Sequence, residues 1–191
     1  DVTEILNFVQ NPGFEEADSN WAIIDPHEAS SINTNSVDSH GGNNSLHYWS
    51  DGPFEFTAAQ TITGLENGYY KLSAYADGEA DGHDLQLFAE EYGGERLEKN
   101  FNVNGWGGNG NWIHAVIDNI IHISNGCCTV GYRVSGISGS WGNLDDVALT
   151  PVDEDGNPLL ENIYTVLTPS SEYVGTGNEF AIDLGLTGVS E

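Results

Sequence analysis

The residues of this chain best suited to chemistry are flat ones at alternating positions. In Ser45-Leu46-His47-Tyr48-Trp49-Ser50, an extended backbone puts His47 and Trp49 on one face and Leu46 and Tyr48 on the other. Tyr70-Lys71-Leu72-Ser73-Ala74-Tyr75 likewise turns Lys71, Ser73 and Tyr75 away from an apolar face, and Thr129–Val134 turns Arg133 out beside Gly131. If these strands share a sheet, one solvated face gathers His47, Trp49, Tyr75 and Arg133. Aromatic rings stack on the apolar C–H face of a sugar, while planar imidazole, amide and guanidinium groups bond its hydroxyl rim. β-Galactose suits such a surface, because its axial hydroxyl gathers the ring C–H groups into one patch. Trp141, in the glycine-rich Gly136–Gly142 stretch, is either a lid over the core or a ligand platform. Trp21 and Tyr92 occupy similar loop positions with weaker claims, Trp106 can sit at a rim, and Trp112 reads as packing. Plainer readings stand beside these: Trp49 as an edge-of-core aromatic, His47 as a core histidine, Arg133 as a partner for one carboxylate.

A second constellation is acidic. Asn11-Pro12-Gly13-Phe14-Glu15-Glu16 and Asn143-Leu144-Asp145-Asp146-Val147 carry hard oxygen ligands of the kind Ca²⁺ takes. If the two ends of the chain are neighbours, Glu15 and Asp145 can converge on one ion, with carbonyls from the Ser39–Asn44 turn; solvated carboxylates are the competing and simpler reading. Asp153, Asp155 and Asn157 alternate as in a calcium loop, but the closing glutamate is missing. The six histidines are scattered, with no HExxH and no Cys/His cluster, which argues against a zinc enzyme. No GxSxG, Walker or dinucleotide-binding fingerprint is present. With 30 acidic residues, some pair will meet glycosidase spacing by chance, so their abundance says nothing about catalysis.

The elements that must position these residues are strands. Segments rich in Tyr, Val, Ile, Thr and Phe alternate with Gly, Asn and Asp clusters, and helical periodicity is nearly absent. Strands are expected at Ser45–Ser50, Phe54–Ile62, Tyr69–Ala76, Asp84–Ala89, Trp112–Ile123, Thr129–Ser135 and Asn143–Thr150, giving an all-β, jelly-roll-like sandwich. Asn67-Gly68 and Asn125-Gly126 are expected to make tight hairpins. The adjacent Cys127 and Cys128 read as reduced side chains on opposite faces of a strand rather than as a strained disulfide. Residues 1–152 form the expected sandwich, and residues 153–191 a linker or C-terminal extension with possible strands at Ile163–Leu167 and Phe180–Leu184. The absence of Met and the start at Asp1 suggest a processed or excised segment. No apolar run approaches the ~20 residues of a membrane span. Thirty acidic against 4 basic residues give a net charge of −26, which repels phosphate backbones and anionic membranes and favours a neutral ligand.

Five stretches carry a resemblance. Asn11–Glu16 (NPGFEE), Ser45–Ser50 (SLHYWS), Ile62–Gly78 (ITGLENGYYKLSAYADG), Leu87–Gly94 (LFAEEYGG) and Gly139–Leu149 (GSWGNLDDVAL) together resemble carbohydrate-binding module family 61 over roughly Asn7 to Val152. The resemblance implies a galactose-binding-like β-sandwich with a structural Ca²⁺ and a site for β-1,4-galactan or galactooligosaccharides. By position it implies metal contacts at Glu15 and Asp145 with carbonyls of Gly13 and His40, and it supports His47, Trp49, Arg133 and Trp141 as sugar contacts. Modules of this family accompany secreted endo-β-1,4-galactanases of glycoside hydrolase family 53. The expectation is therefore a non-catalytic, extracellular, monomeric module without nucleic-acid or membrane partners. The tail beyond Pro151 and the Cys127-Cys128 pair depart from the family pattern. The rival expectations are a jelly-roll polysaccharide-degrading enzyme and a calcium-dependent cell-surface adhesion domain.

Overall fold

The structure is a computed structural model that describes residues 6–79, 81–109 and 111–159. Its strands are β1 (Ala22–Ile24), β2 (Ser30–Asn33), β3 (Ser45–Trp49), β4 (Phe54–Thr63), β5 (Gly68–Gly78) and β6 (His83–Glu90). They continue as β7 (Leu97–Phe101), β8 (Ile113–Val116), β9 (Ile121–Ile123), β10 (Cys127–Gly136) and β11 (Trp141–Val152). One sheet runs β1-β4-β10-β6-β7, the other β2-β3-β11-β5-β8, with β9 also on β5. Every pairing is antiparallel.

Alternation explains the sandwich. β4 reads buried at Phe54, Phe56, Ala58, Gln60 and Ile62 and open between them, so only one face of its sheet meets the other sheet. The inner faces interdigitate through Leu46, Tyr48, Phe56, Leu72, Leu85, Leu87, Tyr132, Val134 and Leu144, all essentially without solvent contact. Each such side chain contributes roughly 1.5–3 kcal/mol by leaving water. Tyr132 of β10 reaches across the core and directs its hydroxyl at the carbonyls of Tyr75 and Asp145 in the opposite sheet. Cys127 and Cys128 are free thiols; Cys128 points into the core, where burial and then the neighbouring Cys127 push its thiol up to about 12.

Three expectations need correction. Trp112–Ile123 is not one strand: it breaks into β8 and β9 around the Asp118-Asn119 turn, and Trp112 precedes β8. The two Asn-Gly turns are not hairpins, because the strands they join lie in opposite sheets. They pack together instead, Leu65 N–H donating to the Gly126 carbonyl and Gly126 N–H to the Asn67 side chain. Short strands β1, β2 and β7 were not expected at all. Asp153–Asn157 does form a turn, its Asp153 carboxylate taking the backbone N–H groups of Asp155 and Asn157. The anticipated tail strands Ile163–Leu167 and Phe180–Leu184 lie outside the described residues.

Candidate functional site

Register decides which flat side chains meet. β3 and β11 pair with Trp49 opposite Trp141 and His47 opposite Asn143, and β5 continues the second row with Asp77 opposite Asn143. Inward neighbours Leu46, Tyr48 and Leu144 are buried, so these residues stand on the outer face of the six-stranded sheet. Trp49 is 52% exposed. Side chains directly opposite on adjacent strands have Cβ atoms about 4.5–5.5 Å apart. A tryptophan pair thus borders a polar pair, an apolar patch beside planar hydrogen-bonding groups. Gly142 lets the strands close here: a Cβ on it would lie 2.3 Å from the Tyr48 hydroxyl and 2.5 Å from the Asp77 carbonyl.

Behind the polar pair lies a buried network. His47 Nδ1 is 2.9 Å from Asn143 Oδ1, and the Asn143 amide donates to Asp77 Oδ1 at 2.7 Å. The backbone N–H of Asn143 donates to the same oxygen at 3.1 Å, and the Gly107 N–H donates to Asp77 Oδ2. The 102–109 segment covers Asp77, anchored by paired bonds between Gly78 and Gly105 and by Trp106 Nε1 on Asp38 at 2.7 Å. Burial raises the Asp77 carboxyl above its ordinary value, with the Gly107 and Asn143 bonds pulling the other way. Asn143 and Asp77 were missed by the sequence reading, although the alternation that faces Trp141 outward also faces Asn143.

Of the seven aromatic and polar residues singled out for sugar contact, His47, Trp49 and Trp141 come together; the other four do not. Arg133 is on β10, in the other sheet, where its guanidinium meets Glu55 at 2.6 Å. Tyr75 shares the right face, but His40 stacks on its ring at 3.6 Å and His114 at 4.5 Å. Trp21 is buried against Phe14 with ring centroids 5.0 Å apart and donates its Nε1–H to the Asn11 carbonyl. Tyr92 is buried and its hydroxyl donates to the Glu95 carbonyl. These last two hold turns in place.

The acidic residues meet one turn. The N-terminal segment runs beside β11, with Phe8 N–H on the Leu149 carbonyl and Val147 N–H on the Pro12 carbonyl. A β-bulge between Asp145 and Ala148 splits the two aspartates: Asp145 is 0% exposed and Asp146 half-buried. Glu15 and Asp145 grip the 40–44 turn from two sides, Glu15 through the N–H groups of Asn43 and Asn44 and Asp145 through those of His40 and Gly41. The His40 ring meets Asp146 at 2.6 Å. Glycines admit the carboxylates: a Cβ on Gly13 would stand 3.1 Å from Asp145 Oδ1 and 3.2 Å from Asp146 Oδ1. Burial, then the Asp146 charge, pushes the Asp145 carboxyl up to about 7. Among the described residues no three acidic, imidazole or thiol side chains form a metal cluster, so an ion here would need backbone carbonyls as well. Carboxylate oxygens such as those of the buried Asp145 are of the hard kind that Ca²⁺ takes.

No family model matches the chain, and no curated protein sequence matches it. Solved structures do. TmCBM61, determined in complex with β-1,4-galactotriose, aligns with a TM-score of 0.70 and 28% identity over 76% of this chain and 99% of that one. A family 16 carbohydrate-binding module aligns with a TM-score of 0.55 and 11% identity, covering 75% of this chain and 99% of its own. The K1 cleaved adhesin domain of Lys-gingipain from Porphyromonas gingivalis W83 shares the fold at a TM-score of 0.52 and 14% identity, over 78% and 98% of the two chains. The fold is the β-sandwich that these carbohydrate-binding modules share. Among them the chain is family-61-like, as its five sequence stretches suggest.

Proposed function

We propose that this chain is a non-catalytic module that binds β-1,4-galactan and holds an attached, secreted glycoside hydrolase on pectic galactan side chains. The observation that carries the reading is the Trp49–Trp141 pair beside His47 on one solvated sheet face, with the buried Asn143 behind His47. The likeness to TmCBM61, solved with galactotriose, supports the choice of sugar. The tryptophans stack on successive galactose rings, and His47, held by the buried Asn143, bonds a hydroxyl. Tethering raises the substrate concentration seen by the linked catalytic domain. Affinity in the micromolar range, about −8 kcal/mol, suffices for that. A neutral polymer also suits a chain of net charge −26.

Ca²⁺ is proposed as a structural ion held by Glu15 and Asp145 with carbonyls of Gly13 and His40. When bound it would neutralise the crowded carboxylates and fasten the N-terminal segment to β11. Affinity electrophoresis of the chain against galactan, arabinan, xylan and polygalacturonate tests the sugar reading. Retardation by galactan alone, with no reducing ends released, is expected. Product release would favour the polysaccharide-degrading enzyme, and no retardation by any of the four would sink the sugar reading.

A further inference from the structure

The network behind the sugar platform fixes where one proton sits. A carboxylate is an acceptor only, so the Asn143 atom 2.7 Å from Asp77 Oδ1 must be the amide nitrogen. That orients the Asn143 carbonyl oxygen toward His47, 2.9 Å from Nδ1. An oxygen there requires a proton on Nδ1. In a neutral imidazole the other nitrogen then carries a lone pair. His47 is half-buried on the outer face beside Trp49, and among the described residues no group bonds its Nε2.

We propose that Asp77 and Asn143 are positioning residues that hold His47 as its Nδ1–H tautomer, so that Nε2 accepts a hydrogen bond from a sugar hydroxyl and sets specificity for uncharged, unmethylated sugars. The hydroxyl part of this rests on the function proposed above; the tautomer part does not. Asp77 sits 0% exposed, with both oxygens taken by donors, so its orientation is set by the fold rather than by solvent. A hydroxyl can donate to the waiting lone pair. An ether oxygen or a uronate carboxylate presents lone pairs to a lone pair and is rejected.

The test uses the full chain labelled with ¹⁵N and a long-range ¹H–¹⁵N correlation at about pH 8, where imidazoles are ordinarily neutral. His47, assigned by the loss of its signals in His47→Gln, is expected to show a protonated Nδ1 and a bare Nε2. In Asp77→Asn the Asn143 amide is free to flip, and the tautomer preference should weaken. Galactotriose affinity, by calorimetry, should fall about tenfold with it, the loss of one well-placed hydrogen bond. A wild-type His47 carrying its proton on Nε2 overturns the inference, whether or not Asp77→Asn folds. So does a folded Asp77→Asn with an unchanged tautomer. If galactotriose fails to bind while Nδ1 is protonated, the ligand reading falls and the positioning roles stand.

Discussion

A tryptophan half in water at the end of a strand contributes little to the core, so its removal separates binding from stability. Trp49 is such a residue, and stacking anchors of this kind are worth about 2 kcal/mol or more when truncated. Trp49→Ala should therefore lose galactan retention, weakening binding roughly 30-fold or more, while the melting temperature stays near wild type. Arg133→Ala supplies the contrast. Its exposed pair with Glu55 is worth about 0–1 kcal/mol, and it stands on the other sheet, so retention should be unchanged. If the two variants behave alike in affinity electrophoresis, the platform assignment is wrong. The pair also shows what alternation can and cannot reveal. Period-2 reading faced His47, Trp49 and Arg133 outward, each correctly for its own strand. It carries no information on which sheet a strand joins, and that separated Arg133 from the rest. Tyr75 failed for a different reason: its strand and face fit, but His40 and His114 arrive from distant segments to cover both sides of its ring.

Between strand and loop, Tyr48 of β3 and His83 at the head of β6 form a tie across the sandwich, their side chains 2.9 Å apart. Burial, then Asp77, holds the Tyr48 hydroxyl well above its ordinary pKa, so it stays protonated. Burial depresses His83, against the opposing pull of the Glu79 backbone, toward which the ring can donate, and the charges of Glu79, Asp84 and Asp81. A depressed histidine binds its proton more readily unfolded than folded. The stability linked to the neutral, buried His83 is thus whole above about pH 6.5 and declines as pH falls through the folded-state value. Asp145, raised to about 7, slopes the other way over neighbouring pH. The difference between wild type and His83→Gln in urea unfolding across pH 5–8 isolates the histidine; equal slopes would refute the burial-depressed His83. Gly142→Ala should cost about 1–3 kcal/mol by overpacking, read in the same urea unfolding, because its Cβ lands on the Tyr48 hydroxyl. The strands in this region were legible because β4 and β5 alternate cleanly over five or more residues. β1 and β2 span only three and four residues, and β7 reads Leu-Glu-Lys-Asn-Phe with partly exposed apolar positions at the sheet edge, which leaves periodicity little to detect.

The whole chain carries −26, and the folded sandwich concentrates the part of that repulsion it bears. Salt shortens its reach, from a Debye length of about 10 Å at 0.1 M to about 3 Å at 1 M. Added NaCl should therefore raise the melting temperature while leaving galactotriose affinity unchanged, since a neutral ligand releases no counterions. A proposed ion between Glu15 and Asp145 acts on the same repulsion locally. Bound at a hundred times its Kd it would add about 2.7 kcal/mol, or roughly 5–10 °C for a chain of this size. Chelator should remove that increment in scanning calorimetry. Binding at room temperature should survive, because Asp145 is four residues along β11 from Trp141, about 13 Å in an extended strand. The increment should shrink as NaCl rises, because screening already relieves part of what the ion neutralises. Identical melting curves with and without chelator at low salt would remove the ion from this corner, and its carboxylates would then be held by the 40–44 turn alone.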